Sequence, residues 1–257
     1  MDLGLTEKRV LITGSSRGIG LAIAEGFLKE QSRVMLTSRN CQDLEELQVK
    51  LSRKFPTLEI MTFECDFTHS DAVVRLKEQV LKVWGGVDIV VANVGSGRSV
   101  PDPIPSKEHF EKAFCLNFDA SVSTAREFYP LLKESKGNLL FIASIVGIEA
   151  FGAPVDYSVA KTAIIAFSKN LARKIAADGV RVNCIAPGNV YFEGGDWDEK
   201  LKTDSESINQ LIKATVPMKR FGKPEEIANS VLFMCSERSS FTTGGCLVID
   251  GGQTYHF

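Results

Sequence analysis

The sequence predicts an α/β protein built on a doubly wound, seven-stranded parallel sheet with helices on both faces. Short apolar runs recur along the chain, and they have the length of strands that are buried on both faces. Segments with apolar residues at steps of three and four lie between these runs, as amphipathic helices require. The alternation of the two patterns is typical of a parallel sheet covered by crossover helices. No repeat or change in composition divides the chain, so one domain over residues 1–257 is expected.

The predicted elements follow one another in a regular order. The strands are residues 9–13, 34–37, 60–63, 87–92, 138–143, 180–185 and 246–249. Helical spacing is clear from residue 19 to residue 27, and the proline-rich run 100–105 after the fourth strand predicts a loop.

Residues 190–214 interrupt this alternation. The segment contains Gly194-Gly195 and Trp197, which no predicted strand or helix includes. Its six acidic residues are Glu193, Asp196, Asp198, Glu199, Asp204 and Glu206. A loop of this length usually has a function, often as a lid. We therefore predict a substrate lid at about residues 190–214.

Composition excludes several classes of function. Thirty basic and 32 acidic residues give a net charge of −2, so no overall field attracts nucleic acid or an anionic membrane. The N-terminus has no signal-peptide pattern and no run of eighteen apolar residues occurs, so we expect a cytoplasmic protein. The six cysteines form no C-x-x-C pair, and His69, His109 and His256 lie far apart. We expect reduced thiols and no bound metal.

The first strand runs into the turn T-G-S-S-R-G-I-G, residues 13–20. Its glycines, Gly14, Gly18 and Gly20, do not have the G-x-G-x-x-G spacing, but they have the same physical role. Glycine lets the backbone turn sharply and approach a pyrophosphate, and the following helix offers unpaired N–H groups and the positive end of its dipole. The turn therefore predicts a dinucleotide site.

A second group of residues suggests proton transfer. Tyr157 and Lys161 stand at i and i+4 and share one helix face. A nearby ammonium stabilises a phenolate and brings tyrosine, with its free pKa of about 10, towards neutral pH. Taken alone, a tyrosine and a lysine at this spacing often occur by chance on amphipathic helices. Ser144, however, ends the fifth strand, at the sheet edge where doubly wound folds bind ligands.

Taken in order, these motifs resemble the short-chain dehydrogenase/reductase family, in its branch of about 250 residues with one Rossmann-like domain. The matching positions are Thr13, Gly14, Gly18 and Gly20; Asn93-Val94-Gly95; Asn117, Ser144, Tyr157 and Lys161; Pro187-Gly188; and Asp250-Gly251-Gly252. The resemblance covers nearly the whole chain and is nearest in overall pattern to the 3-oxoacyl carrier-protein reductases.

The resemblance implies roles for these residues. Tyr157 exchanges a proton with the substrate oxygen, Ser144 orients that oxygen, and Asn117 holds a water of a proton relay. Lys161 binds the nicotinamide ribose and lowers the pKa of Tyr157. Asp66 contacts the adenine ring, although an acid at the start of a loop is equally a helix-capping residue. The cofactor-binding set is Gly14, Ser16, Arg17, Gly18, Ile19, Gly20, Ser38, Arg39, Asp66, Asn93, Gly95, Tyr157, Lys161, Pro187, Gly188 and Val190.

Two positions depart from the family pattern. Val94 replaces an alanine, a small change that should leave binding intact. Phe192 replaces a threonine whose hydroxyl contacts the cofactor. Either Asn189 or Tyr191 compensates, or this half of the nicotinamide site is looser and the lid helps to close it.

The end of the second strand indicates the choice of dinucleotide. NAD-selective members place a carboxylate there, which binds the ribose 2′-hydroxyl and repels a 2′-phosphate. This chain has Ser38-Arg39 instead, and Arg39 with Arg17 resembles the arginine pair of NADP-selective members. Either arginine alone could be a solvated surface residue. The presence of both arginines beside the expected position of one ribose predicts NADP(H) as the cofactor.

The resemblance also implies a homo-tetramer, or a dimer, formed through helices at residues 110–129 and 155–177 and the C-terminal segment. The second helix carries more apolar surface than one sheet contact needs. The residues concerned are Ala160, Ala163, Ile164, Phe167, Leu171 and Ile175.

The leading hypothesis is therefore an NADP(H)-dependent oxidoreductase that interconverts a carbonyl and a secondary alcohol. A non-catalytic dinucleotide-binding or sensor protein on the same fold is the alternative. An acyl carrier protein is disfavoured as partner, because it is acidic and the lid carries six acids against Lys200, Lys202 and Lys213. A small carbonyl or sugar-derived substrate is at least as compatible.

Overall fold

The computed structural model describes residues 2–255, so His256 lies outside the described residues. Within them, seven strands form one sheet in the order β3-β2-β1-β4-β5-β6-β7, and every neighbouring pair is parallel. The strands are β1 (Arg9–Ile12), β2 (Arg33–Ser38), β3 (Ile60–Glu64), β4 (Ile89–Ala92), β5 (Asn138–Ile142), β6 (Arg181–Pro187) and β7 (Cys246–Ile249). The predicted fold class is confirmed.

Helices cover both faces of this sheet. They are α1 (Gly18–Lys29), α2 (Cys41–Lys54), α3 (Ser70–Trp84), α4 (Lys107–Phe114), α5 (Ala120–Ser135), α6 (Val155–Ile175), α7 (Asp196–Thr203), α8 (Ser205–Thr215) and α9 (Pro224–Cys235). Helices α1, α2 and α9 share one buried apolar cluster, and α3, α5 and α6 share the other. Strand β1 contributes Val10 and Ile12 to the first cluster and Leu11 to the second, because successive side chains of a strand point to opposite faces. No helix of residues 2–255 is long and apolar enough to cross a membrane.

The strand boundaries differ slightly from the prediction. Strand β4 begins at Ile89 instead of residue 87, because the Asp88 carboxylate accepts hydrogen bonds from the backbone N–H and the guanidinium of Arg9 at 2.8–2.9 Å. This ion pair joins the entrances of β1 and β4. Strand β6 continues to Pro187 and so carries the sheet directly into the predicted site.

The prediction of an irregular loop at residues 190–214 is wrong, because α7 and α8 occupy most of the segment. Acidic residues stabilise both helix starts, where the dipole is positive. In α7, the buried Asp198 carboxylate accepts hydrogen bonds from the N–H of Gly194, the hydroxyl of Tyr191 and the ammonium of Lys202. In α8, Asp204 caps the N-terminus. Trp197 therefore belongs to a helix after all.

The topology brings the turns that carry the predicted site residues to one edge of the sheet. The chain order reverses between β1 and β4, which leave the sheet side by side at their carboxyl ends. Such a switch point opens a crevice above the sheet. Residues that follow β1, β2, β4, β5 and β6 therefore face a common space, over which α7 lies.

Candidate active site

A cleft of about 700 Å³ lies at this carboxyl edge. All the predicted catalytic and cofactor-binding residues line it except Gly18 and Asn117. Both exceptions adjoin the cleft, since Gly18 belongs to the glycine turn and Asn117 packs behind Gly95. Among the described residues, no group of three or more His, Cys, Asp or Glu side chains could hold a metal ion.

The glycine turn has the shape that an anion site needs. Gly14 and Gly18 have φ values of +62° and +57°, which side chains other than glycine rarely adopt. A Cβ at Gly20 would lie 2.3 Å from the carbonyl oxygen of Gly14, so only glycine allows this close packing. No side chain caps the start of α1, which leaves its first N–H groups for a ligand. The turn fits a pyrophosphate.

Asn93 holds the turn in place. Its side-chain Nδ2 donates to the carbonyl oxygens of Thr13 and Gly14 at 3.0 and 2.9 Å. In return, the Thr13 hydroxyl accepts a hydrogen bond from the backbone N–H of Asn93 at 2.8 Å. These bonds join the ends of β1 and β4, so Asn93 positions the backbone that would cradle the phosphates.

Positive charge lies beside the glycine turn, where Arg17 is part of the turn and Arg39 follows the neighbouring strand β2. Arg39 makes no hydrogen bond among the described residues and faces Asp66. Burial disfavours the ionised carboxyl of Asp66, but hydrogen bonds from Thr68 and the charge of Arg39 together lower its pKa. Arg17 instead donates through Nη1 to the carbonyl oxygen of Gly194 in the lid, at 3.0 Å. Both arginines still line the cleft.

Lys161 is buried beneath the centre of the cleft. Its Nζ donates to the carbonyl oxygen of Ile142 at 2.9 Å, and burial lowers the pKa of the ammonium to about 8. Gly95 leaves room for this arrangement, because a Cβ there would lie 2.9 Å from Lys161 Nζ and 2.7 Å from Asn117 Oδ1. Lys161 and Asn117 therefore meet across Gly95.

Asn117 lies in a π-helical turn, Cys115–Asp119, between α4 and α5. Such turns are frequent at functional sites. The side-chain amide accepts from the backbone N–H of Ser96 at 2.9 Å and donates to the carbonyl oxygens of Ser96 and Ala113. In this geometry, the Asn117 side chain fixes the loop that follows β4.

Tyr157 and Ser144 lie at the floor of the cleft. Burial raises the pKa of the Tyr157 hydroxyl, a hydrogen bond with Ser144 partly opposes this, and the charge of Asp196 raises the pKa further. The resemblance implied a lowered pKa. The difference arises because Lys161 Nζ donates to Ile142 and lies 5.8 Å from the Tyr157 ring centroid. In the protein alone, the phenol is protonated at neutral pH.

Two residues that the sequence did not indicate also reach the cleft. Arg98, in the loop after β4, donates to Asp196 at 2.6 Å and to Glu199 at 2.7 Å, and so ties the first turn of α7 to the site. Gln253 enters from the C-terminal segment and bonds Asn189 at 3.0 Å. Neither residue belongs to a motif, and only the fold brings them together.

Phe192 covers the glycine turn. A Cβ at Gly18 would lie 2.7 Å from its ring, so the ring rests directly against the turn. Tyr191 does not supply the missing hydroxyl, because its own hydroxyl donates to Asp198. Of the two compensating residues suggested by the sequence, only Asn189 lines the cleft.

Comparisons with known proteins agree with this geometry. A family model described as enoyl-(acyl carrier protein) reductase matches residues 14–254. Dehydrogenase/reductase SDR family member 4 of Bos taurus is 33% identical, over 98% of this chain and 89% of the relative. The 3-oxoacyl-[acyl-carrier-protein] reductase of Aquifex aeolicus is 32% identical, over 98% of this chain and 100% of the relative.

Solved structures include the L-sorbose reductase from Gluconobacter frateurii complexed with NADPH and L-sorbose. It is 34% identical, with a TM-score of 0.93 and full coverage of both chains. A 7α-hydroxysteroid dehydrogenase complexed with NADH and a 7-oxo bile acid is 27% identical, with a TM-score of 0.89 over 99% of this chain and 97% of the other. Nicotinamide dinucleotides of both kinds thus occur among similar structures.

Proposed function

The chain belongs to the short-chain dehydrogenase/reductase family, and on that premise we propose that it is an NADP(H)-dependent enzyme interconverting a carbonyl and a secondary alcohol, with Tyr157 as general acid and base. One observation carries the proposal. Ser144, Tyr157 and Lys161 converge in the same cleft as a turn that fits a pyrophosphate. A sensor that had lost catalysis would have no need of this convergence.

The side chains divide the work as follows. A bound nicotinamide dinucleotide supplies or accepts the hydride. Tyr157, which is protonated at neutral pH, donates its proton to the substrate oxygen during reduction and takes it back during oxidation. Ser144 orients that oxygen by a hydrogen bond. Lys161 holds the ribose hydroxyls and, as a buried cation, stabilises the phenolate that the proton transfer leaves.

The proposed preference for NADP(H) rests on charge. The end of β2 has no carboxylate to repel a 2′-phosphate, and Arg39 and Arg17 both line the cleft. Guanidinium groups stay charged and make paired hydrogen bonds to phosphate oxygens. The L-sorbose reductase complex with NADPH supports this choice, although the hydroxysteroid dehydrogenase complex contains NADH.

We propose a free small molecule as substrate in preference to a carrier-bound acyl chain. The relative from Aquifex aeolicus is named for acyl carrier protein, an acidic partner, but the exposed charges of residues 190–214 are Glu193, Glu199, Asp204 and Glu206 against Lys200, Lys202 and Lys213, so this surface has no excess of positive charge to attract it. The L-sorbose reductase structure contains a small carbonyl compound instead.

NADPH oxidation in the presence of ketones, diketones and keto-sugars tests the function. We expect turnover with at least one of them. Replacing Tyr157 with Phe should lower kcat by roughly 10²–10⁴, the usual contribution of acid-base catalysis, and leave NADPH binding nearly intact. The matched control is Tyr129→Phe, because the Tyr129 hydroxyl bonds Asp178 away from the cleft.

Retention of most of kcat in the Tyr157 variant would remove this residue from the mechanism. Tight NADPH binding without turnover of any carbonyl would favour the non-catalytic sensor.

A further inference from the structure

We infer that the substrate is a ketone that carries hydroxyl groups beside its carbonyl, and that Gln253, Asn189 and Asp196 select it through hydrogen bonds to those hydroxyls. The inference rests on the proposed carbonyl chemistry and names the substrate class of the same cleft. It starts from polar groups in the cleft that lack a sufficient set of protein partners.

The first of these groups is the amide pair of Gln253 and Asn189. Gln253 is 93% buried, since only 7% of it is exposed, and both residues line the cleft. A single hydrogen bond of 3.0 Å joins the two amides, from Asn189 Nδ2 to Gln253 Oε1. It leaves the side-chain N–H groups of Gln253 and the side-chain oxygen Oδ1 of Asn189 without a partner among the described residues.

If both amides are flipped, the free oxygen is that of Gln253 instead of Asn189. In either orientation, one carbonyl oxygen and three N–H bonds of the pair remain after one amide–amide hydrogen bond. Gln253 Nε2 is not among the fully buried unsatisfied atoms of the described chain, which are Asn138 Oδ1 and Ser168 Oγ. Its free donors therefore open on the cleft, and a ligand there meets a fixed donor and a fixed acceptor.

The second group is the Asp196 carboxylate, in the first turn of α7. Its Oδ1 accepts from Arg98, whereas Oδ2 accepts no hydrogen bond among the described residues. Oδ2 and the Tyr157 ring approach the same point beside Gly97, at 3.4 and 3.7 Å from where a Cβ would stand. The charge of Asp196 also acts on Tyr157. This acceptor is therefore close to the carbonyl that Tyr157 would protonate.

Hydroxyl groups of a substrate can form hydrogen bonds with these unpaired groups, whereas methylene groups cannot. A hydroxyl both donates and accepts, so hydroxyls on either side of a carbonyl can donate to Asp196 and Asn189 and accept from Gln253. A plain alkyl ketone would displace water from these groups and leave them unpaired, which is costly in a closed site. The cleft should therefore discriminate strongly between a ketose and an alkanone of equal length.

The test compares L-sorbose and D-fructose with hexan-2-one as substrates of the full-length protein and NADPH. We expect kcat/KM to be at least about tenfold higher for one of the ketoses, the effect of a single hydrogen bond of ordinary strength. In Gln253→Leu, the ratio of kcat/KM for that ketose to kcat/KM for hexan-2-one should fall about tenfold. Gln210→Leu, the same change on the exposed face of α8, should leave the ratio unchanged.

Asn189→Ala provides a second variant if the Gln253 variant does not fold, with the same fall in the ratio expected. An unchanged ratio in a folded variant would overturn the inference. So would a rise in KM for NADPH at constant ratio, which would assign the amide pair to the cofactor. If the wild type reduces hexan-2-one as well as ketoses, the inference fails and the proposed function stands; if it reduces no carbonyl, the proposed function fails.

Discussion

At the scale of single residues, Lys161 has a charged ammonium in a buried position that disfavours the charge. Its ammonium is almost fully buried and has one hydrogen-bond acceptor, the carbonyl oxygen of Ile142. Burying an isolated charge costs free energy, and this cost lowers the pKa of the ammonium to about 8. A core position with no function would hold a neutral side chain here. The roles proposed for Lys161 in ribose binding and proton transfer would account for a cation at this position.

Replacing Lys161 with Met should separate function from stability. We expect kcat to fall and KM for the dinucleotide to rise, because proton transfer and ribose binding both lose the cation. The free energy of unfolding at pH 7 should nevertheless increase, by about 2 kcal/mol. Lowering the pKa from 10.5 to about 8 corresponds to a cost of roughly 3 kcal/mol for the buried charge, and the Met variant no longer has this cost. The variant also loses the hydrogen bond to Ile142, which offsets about 1 kcal/mol of the gain.

The sign of the pH dependence follows from the same pKa. Between about pH 8 and 10.5, the unfolded chain binds the proton of this lysine and the folded chain does not, so the wild type gains stability as the pH rises. The Met variant should lack this gain. Urea denaturation at pH 7 and pH 10 measures both effects, with Lys169→Met on the same helix as control. An unchanged KM for the dinucleotide would remove Lys161 from the ribose.

The choice of dinucleotide is also decided by a few side chains. Ser38→Asp combined with Arg39→Ala should lower the ratio of kcat/KM for NADPH to kcat/KM for NADH. The change in this ratio should correspond to a few kcal/mol in favour of NADH. The shift is on the order of two charge-assisted hydrogen bonds, because a 2′-phosphate loses a guanidinium and meets a carboxylate. Steady-state kinetics with both cofactors measures it, and Arg53→Ala at the end of α2 is the control. Equal or better kcat/KM with NADH in the unmodified protein would show that Arg39 is a solvated surface residue.

At the scale of elements, two arginines join the start of α7, in the segment that we propose to be a lid, to the rest of the cleft. Arg98 bonds Asp196 and Glu199 in the first turn of α7, and Arg17 bonds the carbonyl oxygen of Gly194 just before it. Both arginines also line the cleft, where anionic or hydroxylated ligands would compete for them. Ligand binding and lid position should therefore be coupled.

Trp197 should report this coupling. Its ring lies 5.4 Å from that of Phe221, with Lys200 Nζ 4.6 Å above it, and it lines the cleft. We expect quenching or a spectral shift of tryptophan emission when cofactor and substrate are added together. Trp84 should stay silent, because it is buried and its Nε1 bonds Glu59. Comparison with Trp197→Phe isolates the signal, and no change in emission would favour a tryptophan packed permanently at a subunit contact.

The elements also show what the sequence can and cannot predict. All seven strands were predicted within two residues, because buried strands read as continuous apolar runs. Helix α7 was missed, since its eight residues bury only Asp198 and have no apolar stripe. The glycine turn, Asn93 and Ser144 were found because each follows a strand, whereas Asn117, Tyr157 and Lys161 lie in helical segments and were found from the order of the family motifs. Gln253 and Arg98 were not, because their partners lie 64 and about 100 residues away in the chain.

At the scale of the whole molecule, some apolar surface has no partner within the chain. Phe241 is fully exposed, Leu247 on the edge strand β7 is 39% exposed, and Val155 and Val159 on α6 are each 43% exposed. Of the apolar residues on α6 that the sequence assigned to association, Ala160, Ile164 and Ile175 are buried in this chain's own core, whereas Ala163, Phe167 and Leu171 are partly exposed. The most exposed large apolar side chains of α6 are Val155 and Val159, at the spacing of a single helix face.

We propose that this surface is covered by further copies of the chain, as a homo-tetramer or a dimer. Exposed phenylalanine and an apolar edge strand are surfaces that soluble proteins usually bury or protect. Sedimentation velocity at micromolar concentration should therefore give a mass above 28.2 kDa. Phe241→Asp or Val159→Asp should lower it, because a carboxylate buried in an apolar contact has no partner. Leu81→Asp, at an exposed position on α3, should not. A monomer at that concentration would contradict the proposal, and it would also require the exposed apolar residues to be tolerated in water.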